Sequence, residues 1–558
     1  MNAERRNGAR EPIRLSDHFS YGRLIRFTMP TIIMMIFTSI YGVVDGLFVS
    51  NVVGKTEFAA LNFVFPFIMV LGGAGFMIGT GGTALVAQQL GQGDKQKANH
   101  TFTTMVSFTI FLGVILTVIG IAVIRPVCVL LGATPEMIEG CVVYGRVTIA
   151  FTAAFMLQNV FQSFLAAAEK PKLGLFVTVA AGLTNAVLDA VFIAGFRWGL
   201  AGAALATGLG QVVGGVLPLI YFLRTNGSLL QLEKKPSLEI KPILKACGNG
   251  SSEMMSNIAT SLVSMLYNFQ LLKYIGEDGV SAYGVLMYVQ FIFIAISIGF
   301  SIGAAPIVSY HYGAQDHTEL KNLLRKSVIL TLTVGVALTA LAIAAAGPFT
   351  YIFVGFDESL FALTKHAFQL FAFSFLLAGF NIFCSGFFTA LGNGAVSALI
   401  SFLRVLVFQA SSVIILPLFL DIDGIWWAIT VSEVLAAIVS AVFLPGKFFL
   451  CIPVKHGISG SFTGRKYTHP MHGKIHPQKF FRLSFLRCLV FTVEQQAGKI
   501  FPGRFPAHSH RFQFPSLRDH TVEFYFYRLH LWQFQEPVLQ TDIPIYHIRC
   551  IGFPRMFF

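Results

Sequence analysis

Between Leu24 and Leu444 the sequence is a nearly unbroken succession of apolar blocks, each about 20 to 28 residues long. A hydrocarbon core about 30 Å thick, crossed at 1.5 Å per residue, asks for about 20 residues of helix per crossing. The alternation at every second residue that a barrel strand needs is not seen, so the blocks are predicted to be helices. Only 12% of the 558 residues are charged and the mean hydropathy is +0.69, against about 25% charged in soluble domains. Twelve blocks are counted, centred near Phe37, Met69, Leu112, Phe155, Leu183, Val212, Val263, Phe291, Val334, Leu376, Val407 and Leu435. The expected fold class is an all-α polytopic membrane protein of twelve transmembrane helices.

Basic residues fix the expected orientation. Arg5, Arg6, Arg10, Arg14, Arg23 and Arg26 precede or open the first block, too many and too polar for a cleavable secretory signal. The N-terminus is therefore expected in the cytoplasm. Following the chain from there, the inner loops carry Lys95, Lys97, Lys170, Lys172, Lys234, Lys235, Lys241, Lys245, Lys321, Arg325 and Lys326, while the outer loops hold most of the acids, such as Glu136, Glu139, Asp278, Asp357 and Asp423. The membrane expected is the plasma or inner membrane.

A shift of 222 positions superimposes the first six blocks on the last six. It puts Gly54 on Gly276, Gly91 on Gly313, Asp94 on Asp316 and Asn159 on Asn381, and pairs "LVAQQLGQGDKQKAN" with "IVSYHYGAQDHTELKN". Six is even, so the two halves share one membrane orientation and are related by an axis along the membrane normal, an arrangement with a substrate cavity between halves. The expected organisation is a cytoplasmic segment at 1–23, a first six-helix bundle at 24–223, a cytoplasmic linker at 224–245, a second bundle at 246–444 and a tail at 445–558.

Ionisable groups inside the blocks are the natural functional candidates, because a charge at bilayer depth costs on the order of 3 kcal/mol or more. Asp45 lies in the first block and Asp189 in the fifth; their repeat counterparts are Tyr267 and Ser411, which confines this pair of acids to the first half. Both come late in helices that start inside, so they are expected at similar depth. Asn185 precedes Asp189 by one helical turn and shares its face. Such a group suits exchange of a proton or a sodium ion against a cationic substrate. The plainer alternative is that each Asp only accepts hydrogen bonds from neighbouring helices. Glu253, near the start of the seventh block, is a third acid for this site or a cap of its helix. Arg404 in the eleventh block is the one clear intramembrane cation, expected to pair with an acid and hold a conformation or to snorkel to the surface. Pro30 removes a backbone bond from the first helix and is expected to let it bend. Met34, Met35, Phe63, Phe65, Phe155, Met156, Met287 and Tyr288 would either line an adaptable cavity or face lipid.

From about Leu15 to Leu444 the chain resembles the bacterial multidrug and toxic compound extrusion (MATE) transporters. The resemblance rests on "MPTIIMMIFTSIYGVVDGLFVSNVVG", "GTGGTALVAQQLGQGD" and its echo "PIVSYHYGAQD", "TNAVLDAVFI", "SFLRV" and "LDIDGIWWA". It implies a V-shaped pair of bundles that expels cationic, lipophilic compounds in exchange for protons or sodium, with Asp45, Asn185 and Asp189 in the cation-coupling site and an approximate match at Glu253. It implies no cofactor beyond the coupling ion, no nucleic-acid partner, and action as a monomer within the lipid bilayer. Two rival readings are a flippase for lipid-linked oligosaccharides, which would need several cations for a pyrophosphate where only Arg404 offers itself, and a membrane-embedded enzyme, for which no D-D-x-x-D or H-E-x-x-H cluster is seen.

The tail after Pro445 holds nine of the fourteen histidines and 15 Lys and Arg against 5 Asp and Glu. It has neither a sustained period nor a bilayer-length span, its histidines lack a metal-ligand spacing, and it resembles nothing in the family. It is expected to be disordered or a frame-shifted or read-through extension, though a basic, Phe-rich segment would also suit anionic lipid. The seven cysteines form no legible disulfide framework.

Overall fold

The computed structural model describes residues 13–450 apart from 49–52, 54, 131, 132, 136, 236, 237 and 356, and describes their side chains except at 43–48, 55, 56, 58, 59, 62 and 445–450. The expected tail from 451 onward and the side chain of Asp45 lie outside this set.

All regular structure among the described residues is helical. In chain order the elements are α1 (Tyr21–Phe48), α2 (Lys55–Gly91), α3 (Lys95–Leu130), α4 (Ile138–Ala150 and Thr152–Ala167), α5 (Pro171–Asp189 with a π-helical turn Ala190–Gly195) and α6 (Gly199–Leu223). The second set is α7 (Ile240–Tyr274), α8 (Glu277–Gly313), α9 (His317–Val354), α10 (Glu358–Phe371 and Phe375–Ala390), α11 (Gly394–Ser401, π-helical Phe402–Gln409, Ala410–Ile415) and α12 (Pro417–Leu450). Among the described residues ten spans are long and apolar enough to cross a bilayer, and α4, bent by 53°, makes an eleventh. The element in the seventh position, α7, is too polar to pass that test. Its Ser252 and Asn249 face α10, where Asn249 Nδ2 donates to the Thr389 carbonyl at 2.8 Å, so protein rather than lipid surrounds them.

The repeat extends to backbone detail. Positive φ recurs at Gly93 (83°) and Gln315 (58°), at Glu169 (60°) and Gly392 (75°), and at Arg197 (58°) and Asp421 (46°), in corresponding turns of the two halves. At Asp421 the conformation breaks α12 near its start.

The halves meet closely at the end of the molecule where α1 begins, and the contacts obey the same two-fold relation. A Cβ on Gly91 of α2 would stand 2.9 Å from the Ala314 amide nitrogen just beyond α8; one on Gly313 of α8 would stand 2.8 Å from the Gln88 carbonyl carbon of α2. Gly81 of α2 likewise abuts Ala246 and Gly250 of α7, as Gly303 of α8 abuts Thr28 and Thr31 of α1. Only a residue without a side chain permits backbones to approach this far. Apolar packing follows the crossing. Leu24 and Phe27 of α1 join a core with Phe300 and Ile307 of α8 and Phe383 of α10, while Ile243 and Ala246 of α7 join a core with α2, α3 and α4.

The segment before α1 is strapped to both halves. Leu15 and Phe19 are fully buried. The Leu15 amide donates to Glu169 Oε1 at 2.6 Å, and the Phe19 amide donates to Glu319 Oε1 of α9 at 2.9 Å. His18 Nδ1 shares a 2.6 Å hydrogen bond with Glu319 Oε2, and Asn322 and Lys326 donate to the Phe19 carbonyl. Burial pushes the Glu169 carboxyl above its usual range, against the opposing pull of the Leu15 amide. Within the expected linker, Leu230 and Leu232 are buried against the first half and the Glu233 amide donates to Thr103 Oγ1 at 3.0 Å. The described cysteines are free.

Candidate functional site

In the first half, α5 brings two of the expected polar residues into the protein interior. Asn185 is 3% exposed and donates Nδ2 to Thr207 Oγ1 of α6 at 3.4 Å; Asp189 is 0% exposed and ends the α-helical part of α5. The π-helical turn that follows at Ala190–Gly195 is of a type concentrated at functional sites. Gly182 lets α1 approach, since a Cβ there would lie 2.6 Å from Phe37 Cε1 and 3.1 Å from Tyr41 Cδ1. Gly174, earlier in α5, faces Met34, earlier in α1, so the helices run parallel. Along these parallel helices Asp45 follows Tyr41 by about one turn and Asp189 follows Gly182 by about two.

The second half holds a cavity of about 260 Å³ between α7, α8, α10, α11 and α12. Glu253 lines it from α7, Gln290 and Phe291 from α8, Arg404 from α11 and Glu433 from α12. Arg404 Nε donates to Glu433 Oε1 and Oε2 at 2.9 and 3.1 Å, and its Nη2 donates to Oε1 at 2.7 Å. Asn381 Nδ2 donates to Glu433 Oε2 at 2.7 Å and to the Glu433 carbonyl at 2.9 Å. The side chain of Glu433 is 4% exposed and that of Arg404 17%. Asn381 is the repeat counterpart of Asn159, so an amide already present at that place in both halves serves here as a carboxylate anchor.

The structure decides between the alternatives at Arg404 and Glu253 and changes the expectation that the intramembrane acids are confined to the first half. Arg404 does not snorkel but pairs, and its partner Glu433 was missed; the signal available was an acid inside the twelfth apolar block, in "VSEVLA". Intramembrane acids are consequently present in both halves. Glu253 does not cap α7, because that helix already begins at Ile240, more than three turns earlier. It stands instead where the halves meet, lining the 260 Å³ cavity and also a small one of about 30 Å³ bounded by Thr80, Thr83, Ser163 and Thr389. Pro30 lies inside α1 as expected. Of the Met and aromatic candidates, Met287 lines the larger cavity, Met34 and Met156 are fully buried in packing, and Phe65 is 44% exposed. Among the described residues no group of three His, Cys, Asp or Glu is arranged to hold a metal ion.

Comparison with known proteins agrees with this architecture. The multidrug export protein MepA of Staphylococcus saprophyticus is 24% identical over 418 residues, covering 74% of this chain and 91% of that protein; MepA of Staphylococcus haemolyticus is 23% identical with the same coverage. Among solved structures, a MATE in complex with MaL6 superimposes with a TM-score of 0.74 at 22% identity, over 78% of this chain and 97% of that one. An outward-facing multidrug resistance MATE family transporter of the MOP superfamily gives 0.74 at 21%, over 79% and 98%. The MatE family model matches twice, at residues 30–191 and 254–414, once in each half of the repeat. With more than half of its length matched in this way, the chain belongs to the MatE family of membrane transporters.

Proposed function

We propose that the chain exports small lipophilic cations in exchange for protons or sodium ions, by alternating the end at which its two halves are closed. The observation that carries the reading is Asp189, a carboxylate with no solvent exposure inside a membrane helix, one turn from Asn185, on a helix that packs in parallel against the one carrying Asp45. An ionised carboxylate there costs on the order of 3 kcal/mol, so a proton, a sodium ion or a cationic substrate competes to neutralise it. That competition is the coupling: an ion arriving at Asp45, Asn185 and Asp189 removes the attraction for a cationic drug and favours its release. Glu253, at the meeting of the halves, would relay the charge of either ligand to the second half. The relatives named for multidrug export support the substrate class. With the N-terminus in the cytoplasm, as the Lys and Arg distribution predicts, the end closed by the glycine contacts is the inner one, and the conformation is the one that releases drug outside. The protein would act as a monomer in the plasma or inner membrane.

The test is substrate-induced proton release from acid-loaded inverted vesicles, with ethidium as the cation. Release by the native chain and its loss in Asp189→Asn would bear the mechanism out. Full ion-coupled export by Asp189→Asn would refute it, and absence of release from folded protein, with and without sodium, would favour the flippase.

A further inference from the structure

The charges of the second-half cavity are not absorbed by the exchange of a proton for a cation. Glu433 engages the Nε and Nη2 side of the Arg404 guanidinium, and Asn381 occupies the second oxygen of that carboxylate. The fork geometry of a guanidinium directs its other donors away from a carboxylate bound in this way. Nη1 has no hydrogen-bond partner among the described residues, yet it is not among the sealed, unsatisfied atoms of the interior, and the residue lines the cavity. Arg404 also sits in a π-helical stretch, Phe402–Gln409, a geometry that re-aims side chains at functional sites. From α7, Glu253 presents a carboxylate to the same cavity. The cavity therefore offers a carboxylate from Glu253 and a spare N–H edge on Arg404, whose charge Glu433 already offsets. A ligand that is only a cation leaves the spare Arg404 edge unused, and a pure anion finds no partner for Glu253.

We infer that this cavity is a binding site for compact organic ampholytes, with Glu253 taking a cationic amine and Arg404 taking a carboxylate on its free Nη1 edge. Glu433 and Asn381 are positioning residues that hold the guanidinium in place, while Met287 and Phe291 contribute apolar lining. At about 260 Å³ the cavity lies at the small end of ligand sites, about 300–1,000 Å³, which favours a single-ring molecule. The inference rests on the export reading for its physiological meaning, but the binding itself is independent of it.

The test is calorimetric titration of the purified full-length chain with 4-(aminomethyl)benzoate and with its methyl ester, which keeps the amine and removes the carboxylate charge. The native chain is expected to prefer the acid by about tenfold, the size of one charge-assisted hydrogen bond. In Arg404→Gln/Glu433→Gln, which removes one charge of each sign and leaves no buried ion unpaired, the ratio is expected to fall to about one. Glu253→Gln should weaken both ligands. A native chain with no preference for the acid, or a double variant that keeps the preference, would overturn the inference. Preference for the acid in a chain that exports no ethidium would leave the site standing and remove the export reading; ethidium export without the preference would do the reverse.

Discussion

Gly313→Ala tests whether the glycine crossing of α2 and α8 holds one end of the molecule shut. The added Cβ would run into the carbonyl oxygen of Gln88 and lie 2.8 Å from its carbonyl carbon and Cα, where ordinary contact begins near 3.4 Å, a clash with backbone atoms that no rotamer change can move aside. Overpacking of this kind costs about 1–3 kcal/mol. The cost falls only on the state in which the two helices touch, so the closed-to-open equilibrium should shift by roughly fivefold to 150-fold toward opening at this end. Spin labels at the exposed positions Lys95 and Lys321, on a background without native cysteines, read the separation of the α3 and α9 starts beside this crossing. The expected result is a second, longer distance population in Gly313→Ala. Gly284→Ala on the same helix, where a Cβ meets nothing within 4 Å, is the control and should leave the distribution unchanged. An unchanged distribution together with undiminished thermal stability in Gly313→Ala would refute the argument, since it would mean that the crossing yields to a methyl group at no cost.

Two further outcomes follow from the charge networks. Arg404→Ala leaves the Glu433 carboxylate buried with Asn381 as its remaining partner and should destabilise the fold by about 3–5 kcal/mol, whereas Arg404→Met/Glu433→Leu should recover most of that loss; thermal unfolding in detergent compares them, and equal losses would show that packing rather than charge sets the cost. Glu319→Gln weakens the acceptor of the Phe19 amide, His18 and Asn322, so the strap before α1 should loosen by about 1–3 kcal/mol, visible as faster hydrogen exchange at residues 15–20; unchanged exchange there would mean that burial of Leu15 and Phe19 alone holds it.

Much of the architecture was legible because a bilayer imposes a length on every crossing and a duplicated chain repeats its turns at a fixed offset. The twelve block centres all fall in helical elements, and the repeat reappears as paired positive-φ turns offset by 222 to 224 residues. What could not be read was any pairing between distant elements. Glu433 and Arg404 lie 29 positions apart on different helices, and nothing local in "VSEVLA" says that its acid turns inward toward α11. Glu253 could be read as a site acid or as a cap because its block becomes apolar only after it, yet α7 starts at Ile240, where its polar residues give hydropathy no signal. Asn185 and Asp189 were placed on one buried face by their spacing alone, and both are buried.

The strap before α1 also bears on biogenesis. Phe19 finds its acceptor, Glu319, 300 residues later in the chain. At about 5–20 residues per second a ribosome needs roughly 15 to 60 s to supply that distance. For that interval Leu15, Phe19, Leu24 and Phe27 have been synthesised and α8 and α9, which bury them, have not. The first half therefore waits, incompletely folded, for the second to arrive, and any insertion intermediate must shelter these four side chains in lipid or against the insertion machinery until Glu319 emerges.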